Sequence, residues 1–151
     1  MDLESELRLD EDAAEVAAFL AENDGALEPA WHRGEELEAG DETGVYWLTV
    51  RPVSAPDERY YARIGWNRYP GAPPSVKFAT TDRGSLSETS AWPNVGGYRP
   101  GNFDICAEWT SEGHQAHPEW AGRWPTAGNP FLWVVQILQG DLDRRYGGRS
   151  A

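Results

Sequence analysis

At 151 residues the chain is long enough for one domain around a single core and too short for two. Its 12% aromatic content, with eight Trp, excludes a disordered polypeptide despite the many charges. The net charge of -12 is concentrated in one part: residues 1–43 hold 15 acidic side chains against Arg8 and Arg33, while residues 44–151 balance to +1. Such a block excludes nucleic-acid binding through the N-terminal part and suits either a solvated surface or a basic partner.

Met1–Glu6 has neither basic residues nor an apolar core, so no signal peptide is expected there. The longest apolar stretch, Phe131–Leu138, has the size of a core segment rather than a membrane span, and no membrane partner is expected. With one cysteine and no export signal the expected compartment is the cytoplasm. Twelve of the thirteen bases are Arg and only Lys77 is a lysine, a bias that a GC-rich genome explains without any chemistry.

In chain order, residues 11–23 predict an amphipathic helix with Asp10 as N-cap, a stripe of Ala13, Val16, Ala17 and Leu20, and Asn23-Asp24-Gly25 as its stop. Residues 26–43 are polar and punctuated by Gly, which predicts loop or a weak edge strand. Val45–Val50 is rich in β-branched and aromatic residues, and Arg59–Trp66 alternates. With the Ser54–Asp57 turn between them they predict a hairpin. Ser75–Ala79 predicts a third strand. Residues 80–104 show no periodicity and predict a long irregular loop. Asn129 then caps a helix with Pro130 in its first position. Phe131, Val134, Val135, Leu138 and Leu142 form its stripe, Arg144 and Arg145 sit in its last turn, and Gly147 ends it. The order predicts a single α+β domain: residues 1–43 are its acidic helix and loop, and 44–151 its core.

Cys106 stands alone in Asn102-Phe103-Asp104-Ile105-Cys106-Ala107-Glu108-Trp109. A single thiol closes no intramolecular disulfide, so it is either a small buried hydrophobe or a nucleophile. Upstream come Tyr69-Pro70-Gly71-Ala72-Pro73-Pro74 and Trp92-Pro93-Asn94, and downstream Trp124-Pro125 precedes the last helix.

This ordered set resembles the ubiquitin-conjugating (E2) family across roughly residues 44–142 and, less fully, the N-terminal helix. The resemblance implies a UBC-like fold with an antiparallel β-meander and a long active-site loop. It also implies that Cys106 accepts a ubiquitin-like modifier as a thioester from an E1-like adenylating enzyme and passes it to an amine. No cofactor or metal is implied, since ATP acts upstream. Asn94 would brace the oxyanion, while Asp104 and Glu108 would orient or deprotonate the incoming amine. Thiolate suits the role because it both attacks and leaves well.

Several departures point to a divergent, prokaryotic member. Trp92 stands where the family has histidine, and Asn94 lies twelve positions before the thiol, with Asn102 as a rival four positions before it. An insertion around Ser111–His117 lengthens the interval to Trp124, and a single helix follows.

Two other readings stay open. One is a catalytically inert E2-like or RWD-like interaction module with Cys106 in the core. The other is a Cys–His hydrolase using His114 or His117. A metal held by His114 and His117 with Cys106 or His32 lacks a second cysteine. Tyr146-Gly147-Gly148 reads as a helix cap rather than a modifier tail.

Overall fold

The computed structural model describes residues 1–37 and 42–151. Helix α1 (Leu3–Glu22) leads into strands β1 (Ala26–Pro29), β2 (Val45–Val50), β3 (Tyr60–Gly65) and β4 (Ser75–Ala79). A short hairpin, β5 (Tyr98–Arg99) and β6 (Asp104–Ile105), is followed by α2 (Ser111–Ala116) and α3 (Pro130–Arg144).

The four main strands form one antiparallel sheet in the order β1-β2-β3-β4. Leu48 lies opposite Ala62, and Ala62 opposite Phe78. This register puts Tyr46, Leu48, Val50, Tyr60, Ala62, Ile64, Val76 and Phe78 in the core, while Trp47, Thr49, Tyr61, Arg63 and Lys77 between them are less buried. The predicted hairpin and third strand are therefore present, and the architecture is α+β with a helix at each end of an antiparallel meander. Among the described residues no helix is long and apolar enough to cross a membrane.

The first helix begins eight residues before the predicted start. Its N-cap is Asp2, whose Oδ1 accepts from the Ser5 amide at 2.8 Å, and not Asp10. Leu9 extends the buried stripe to Leu9, Ala13, Val16 and Leu20, at spacings of four, three and four. Asp10 lies off that stripe and is held from outside the helix: its carboxylate accepts from the Tyr46 hydroxyl at 2.7 Å and from Arg33 at 2.9 Å. The predicted stop is observed, with Asn23 as C-cap, Asp24 at φ 58° and the Gly25 amide returning to the Leu20 carbonyl.

Of the polar stretch 26–43, residues 26–29 form the edge strand, 30–37 and 42–43 are non-strand, and 38–41 lie outside the described residues. Residues 80–104 are irregular as predicted, apart from two 3-10 turns and the short strands β5 and β6. In α3, Asn129 accepts from the Leu132 amide at 2.9 Å with Pro130 behind it, as predicted. Arg144 ends the helix and Arg145 caps it, so Gly147 falls two residues beyond the cap.

Helices α1 and α3 pack together, and α1 also covers β1. Phe131, Val134, Val135, Leu138 and Leu142 of α3 are fully enclosed, each such side chain contributing about 1.5–3 kcal/mol through burial. Phe131 sits edge-on to Tyr46 and Trp66, at 5.2 and 5.4 Å between ring centres. Residues of both 1–43 and 44–151 contribute to the hydrophobic core.

Candidate active site around Cys106

The thiol loop is built from the β5–β6 hairpin. Tyr98 pairs with Ile105 and Arg99 with Asp104. The connecting turn, Pro100–Asn102, closes through Phe103 in a left-handed conformation, φ 54°. Ile105 points into the core at 1% exposure, and Cys106, the next residue, is half-buried.

The backbone at the thiol is held on both sides. The Cys106 amide donates to the Gly97 carbonyl at 2.9 Å. Thr110, fully buried, donates its hydroxyl to the Ile105 carbonyl at 2.6 Å and accepts from the Gly113 amide at 3.1 Å as the N-cap of α2. The Ala107 amide also reaches Thr110 Oγ1, at 3.3 Å. The expected insertion at Ser111–His117 is thus mostly helix α2, which buttresses the thiol loop.

The Gly97 side is tied to α3. Tyr98 donates to the buried Asp141 carboxylate at 3.0 Å, and Arg145 bridges Asp141 (3.1 Å) to the Gly96 carbonyl (2.8 Å). Burial, followed by the Asp141 charge, pushes the Tyr98 hydroxyl well above the ordinary tyrosine range.

The proline segment also supports this region. The Trp124 indole donates to the Pro70 carbonyl at 2.7 Å, and the Ser111 amide donates to the Pro74 carbonyl at 2.8 Å. Ser75 donates to Glu112 of α2 at 3.0 Å. Two motifs singled out in the sequence, Tyr69–Pro74 and Trp124-Pro125, therefore meet in space. Tyr69 itself is core, donating to Asp12 of α1 and stacking edge-on with Trp66 at 4.8 Å.

Each of the other predicted site residues has a partner of its own. Asp104 makes a two-point pair with Arg99, both contacts at 2.7 Å. That pair is the first cause of the Arg99 guanidinium rising above its ordinary value. Glu108 is paired with Arg123. Each acid flanking the thiol thus has its own arginine, a neutralisation that the local sequence did not reveal.

Asn94 is exposed. Its side-chain amide faces the Gly147 carbonyl at 3.5 Å, while its backbone pairs with Gly147 and Gly148 at 2.8 Å each. Its rival Asn102 lies exposed in the turn ahead of β6. Trp92 is a fully buried core residue against Phe78, 5.0 Å between ring centres.

Two of the three histidines, His114 within α2 and His117 at its C-cap, lie together near Trp120, while His32 lines a cavity beside α1. His114 donates from Nε2 to the Glu108 carbonyl at 2.7 Å. His117 stacks on Trp120 at 4.1 Å and pairs with Glu119 at 3.2 Å. The Glu119 carboxyl is lowered by its own backbone amide and then by His117. Among the described residues no three His, Cys, Asp or Glu side chains gather into a metal-binding group.

Sequence reasoning missed Arg99, Thr110, Gly113 and Arg123. Of these only Thr110, followed by acidic Glu112 in the first turn, carries a local helix-start signal. The arginine partners depend on a two-residue hairpin and on a 3-10 segment that no periodicity marks. Comparison with family models, curated proteins and solved structures finds no match for this chain.

Proposed function

We propose that this chain is an E2-like acyl carrier, with Cys106 taking the C-terminal carboxyl of a ubiquitin-like modifier as a thioester. The observation that carries the reading is a half-buried cysteine on a loop braced from both sides, set after an antiparallel meander and before a C-terminal helix. A carrier needs its sulfur reachable by a macromolecular donor and its backbone steady while two transfers occur.

In the first transfer the Cys106 thiolate attacks the modifier's carbonyl carbon on an E1-like thioester, the new C–S bond forms and the donor thiolate departs. In the second, an amine attacks the same carbon, loses a proton, and the Cys106 thiolate leaves. The E1-like enzyme and the modifier are the partners on this reading; it uses no cofactor and no nucleic acid, and it places the protein in a prokaryotic cytoplasm. Asn94, Asp104 and Glu108 would have to leave their present partners to assist, so Cys106 carries the proposal by itself.

Those engagements favour a second reading, an inert E2-like or RWD-like interaction module. The Cys–His hydrolase is less favoured, because His114 and His117 are engaged with Glu108, Glu119 and Trp120.

The two readings part in one experiment. Tagged protein and its Cys106→Ser variant are recovered from native cells and run with and without thiol reductant. A carrier gives a higher-mass band that reductant removes, and a reductant-resistant ester band in the serine variant. Absence of both, with alkylation of Cys106 only after denaturation, overturns the carrier and leaves the module.

A further inference from the structure

On the flank of α1 that faces β1 and β2 the structure contains a cavity of about 330 Å³. That is at the lower end of the roughly 300–1,000 Å³ typical of ligand sites. Along α1 it is lined by Glu6, Leu9 and Asp10 and by the small side chains Ala13, Ala14 and Ala17, which leave room where larger ones would fill it. Leu27 and Trp31 complete the wall, with the Trp31 indole N–H buried and without a hydrogen-bond partner among the described residues.

At one end the wall gives way to charge, where Glu6, Asp10 and Arg33 converge. Both oxygens of Asp10 are occupied, Oδ1 by the Tyr46 hydroxyl at 2.7 Å and Oδ2 by Arg33 at 2.9 Å. Glu6 is different. Its side chain is only 17% exposed, and its link to Arg33 is a loose 3.5 Å ion pair. Among the described residues two carboxylates against one guanidinium leave this rim at -1, within the acidic block of residues 1–43. An anion entering here would face that net charge, whereas a cation would meet a carboxylate whose partner among the described residues is Arg33 alone, at 3.5 Å, and which is partly shielded from salt.

We propose that this cavity binds a small organic cation, an amidinium, guanidinium or ammonium carried on an apolar group, with Glu6 as the anchoring carboxylate and Ala13, Ala17 and Trp31 receiving the apolar part. The site stands apart from Cys106, and its occupancy is independent of the carrier reading.

Three probes of one shape and different charge test it on the full chain: benzamidine, benzamide and benzoate. The readout is the indole ¹H–¹⁵N signal of Trp31, identified by its loss in Trp31→Phe. Benzamidine is expected to shift that signal saturably, with benzamide at least about tenfold weaker and benzoate weaker still. Glu6→Gln should erase the preference for benzamidine over benzamide. Ala17→Phe, with its circular dichroism unchanged, should abolish binding of all three. The proposal is overturned if benzoate binds as well as benzamidine, if no probe shifts the signal, or if folded Ala17→Phe retains benzamidine. None of these outcomes bears on thioester formation at Cys106.

Discussion

A methyl group added at Gly113 would stand 2.0 Å from the Ala107 carbonyl oxygen and 2.7 Å from the Ala107 nitrogen. Both are backbone atoms of the thiol loop, so they cannot swing aside as a side-chain tip would. Gly113→Ala must push α2 and the Cys106–Ala107 segment apart, at an overpacking cost of about 1–3 kcal/mol. At this chain length each kcal/mol corresponds to roughly 2–4 °C in Tm. The variant should melt several degrees lower and alkylate faster at Cys106 under native conditions. An unchanged Tm with an unchanged alkylation rate would refute this account of the loop. Cys106 itself was legible as the residue to watch, because it is the only thiol. Its braces were not, because Gly97, Thr110 and Gly113 act through backbone and hydroxyl contacts that leave no pattern beyond a cap.

At the scale of elements, the segment after α3 is a strap laid along residues 89–94. The Gly147 amide donates to the Asn94 carbonyl, the Asn94 amide to the Gly148 carbonyl and the Ser150 amide to the Trp92 carbonyl, all at 2.8–2.9 Å. Arg149 fastens it. Its guanidinium lies 4.3 Å from the Tyr60 ring centre, pairs with Glu58 at 2.8 Å and donates to the carbonyls of Arg59 and Ser90. A half-exposed ion pair contributes little alone, but the cation–ring contact and two carbonyl bonds add to it. Arg149→Ala should release the strap by about 1.4 kcal/mol, speeding hydrogen exchange at Asn94, Gly147 and Ser150 about tenfold. The Gly25 amide, at the far end of α1, serves as the unaffected control. Equal exchange at the three strap amides in both proteins would show that Arg149 does not hold it. The sequence offered Gly147 and Gly148 as helix-cap residues; their pairing with Asn94 spans 53 and 54 positions and has no local signature.

For the whole molecule, the core contains four tyrosine hydroxyls, those of Tyr46, Tyr60, Tyr69 and Tyr98, whose ionisation is raised above the ordinary value, in each case first by burial. Hydrogen bonds to Asp10, Tyr146 and Asp12 add to the effect at the first three, and the Asp141 charge adds to it at Tyr98. A raised folded value means that the folded state resists losing these protons. Stability from this source is therefore complete below about pH 10, where unfolded tyrosine ionises, and falls as pH climbs toward the folded values. Tyrosinate absorbance should rise in a step that coincides with loss of circular dichroism on alkaline titration. If all tyrosines titrated near pH 10 with the fold intact, the buried hydroxyl network would be disproved.

By itself the sequence determined the α+β class, the β2–β3 hairpin, strand β4 and the capped start of α3. These follow from periodicity, turn chemistry and capping, which act over a few residues. It also singled out the thiol and the motifs of Tyr69–Pro74 and Trp124. Only the tertiary structure decided that Asp10 is a helix-interior anchor for Tyr46 and Arg33 rather than a cap. The same holds for Asp104 and Glu108, each paired with its own arginine, and for Asn94, which serves the strap. In every one of these cases a polar group, of side chain or backbone, takes whichever partner the packed chain brings to it, and that partner is set by distance in space rather than by position along the sequence.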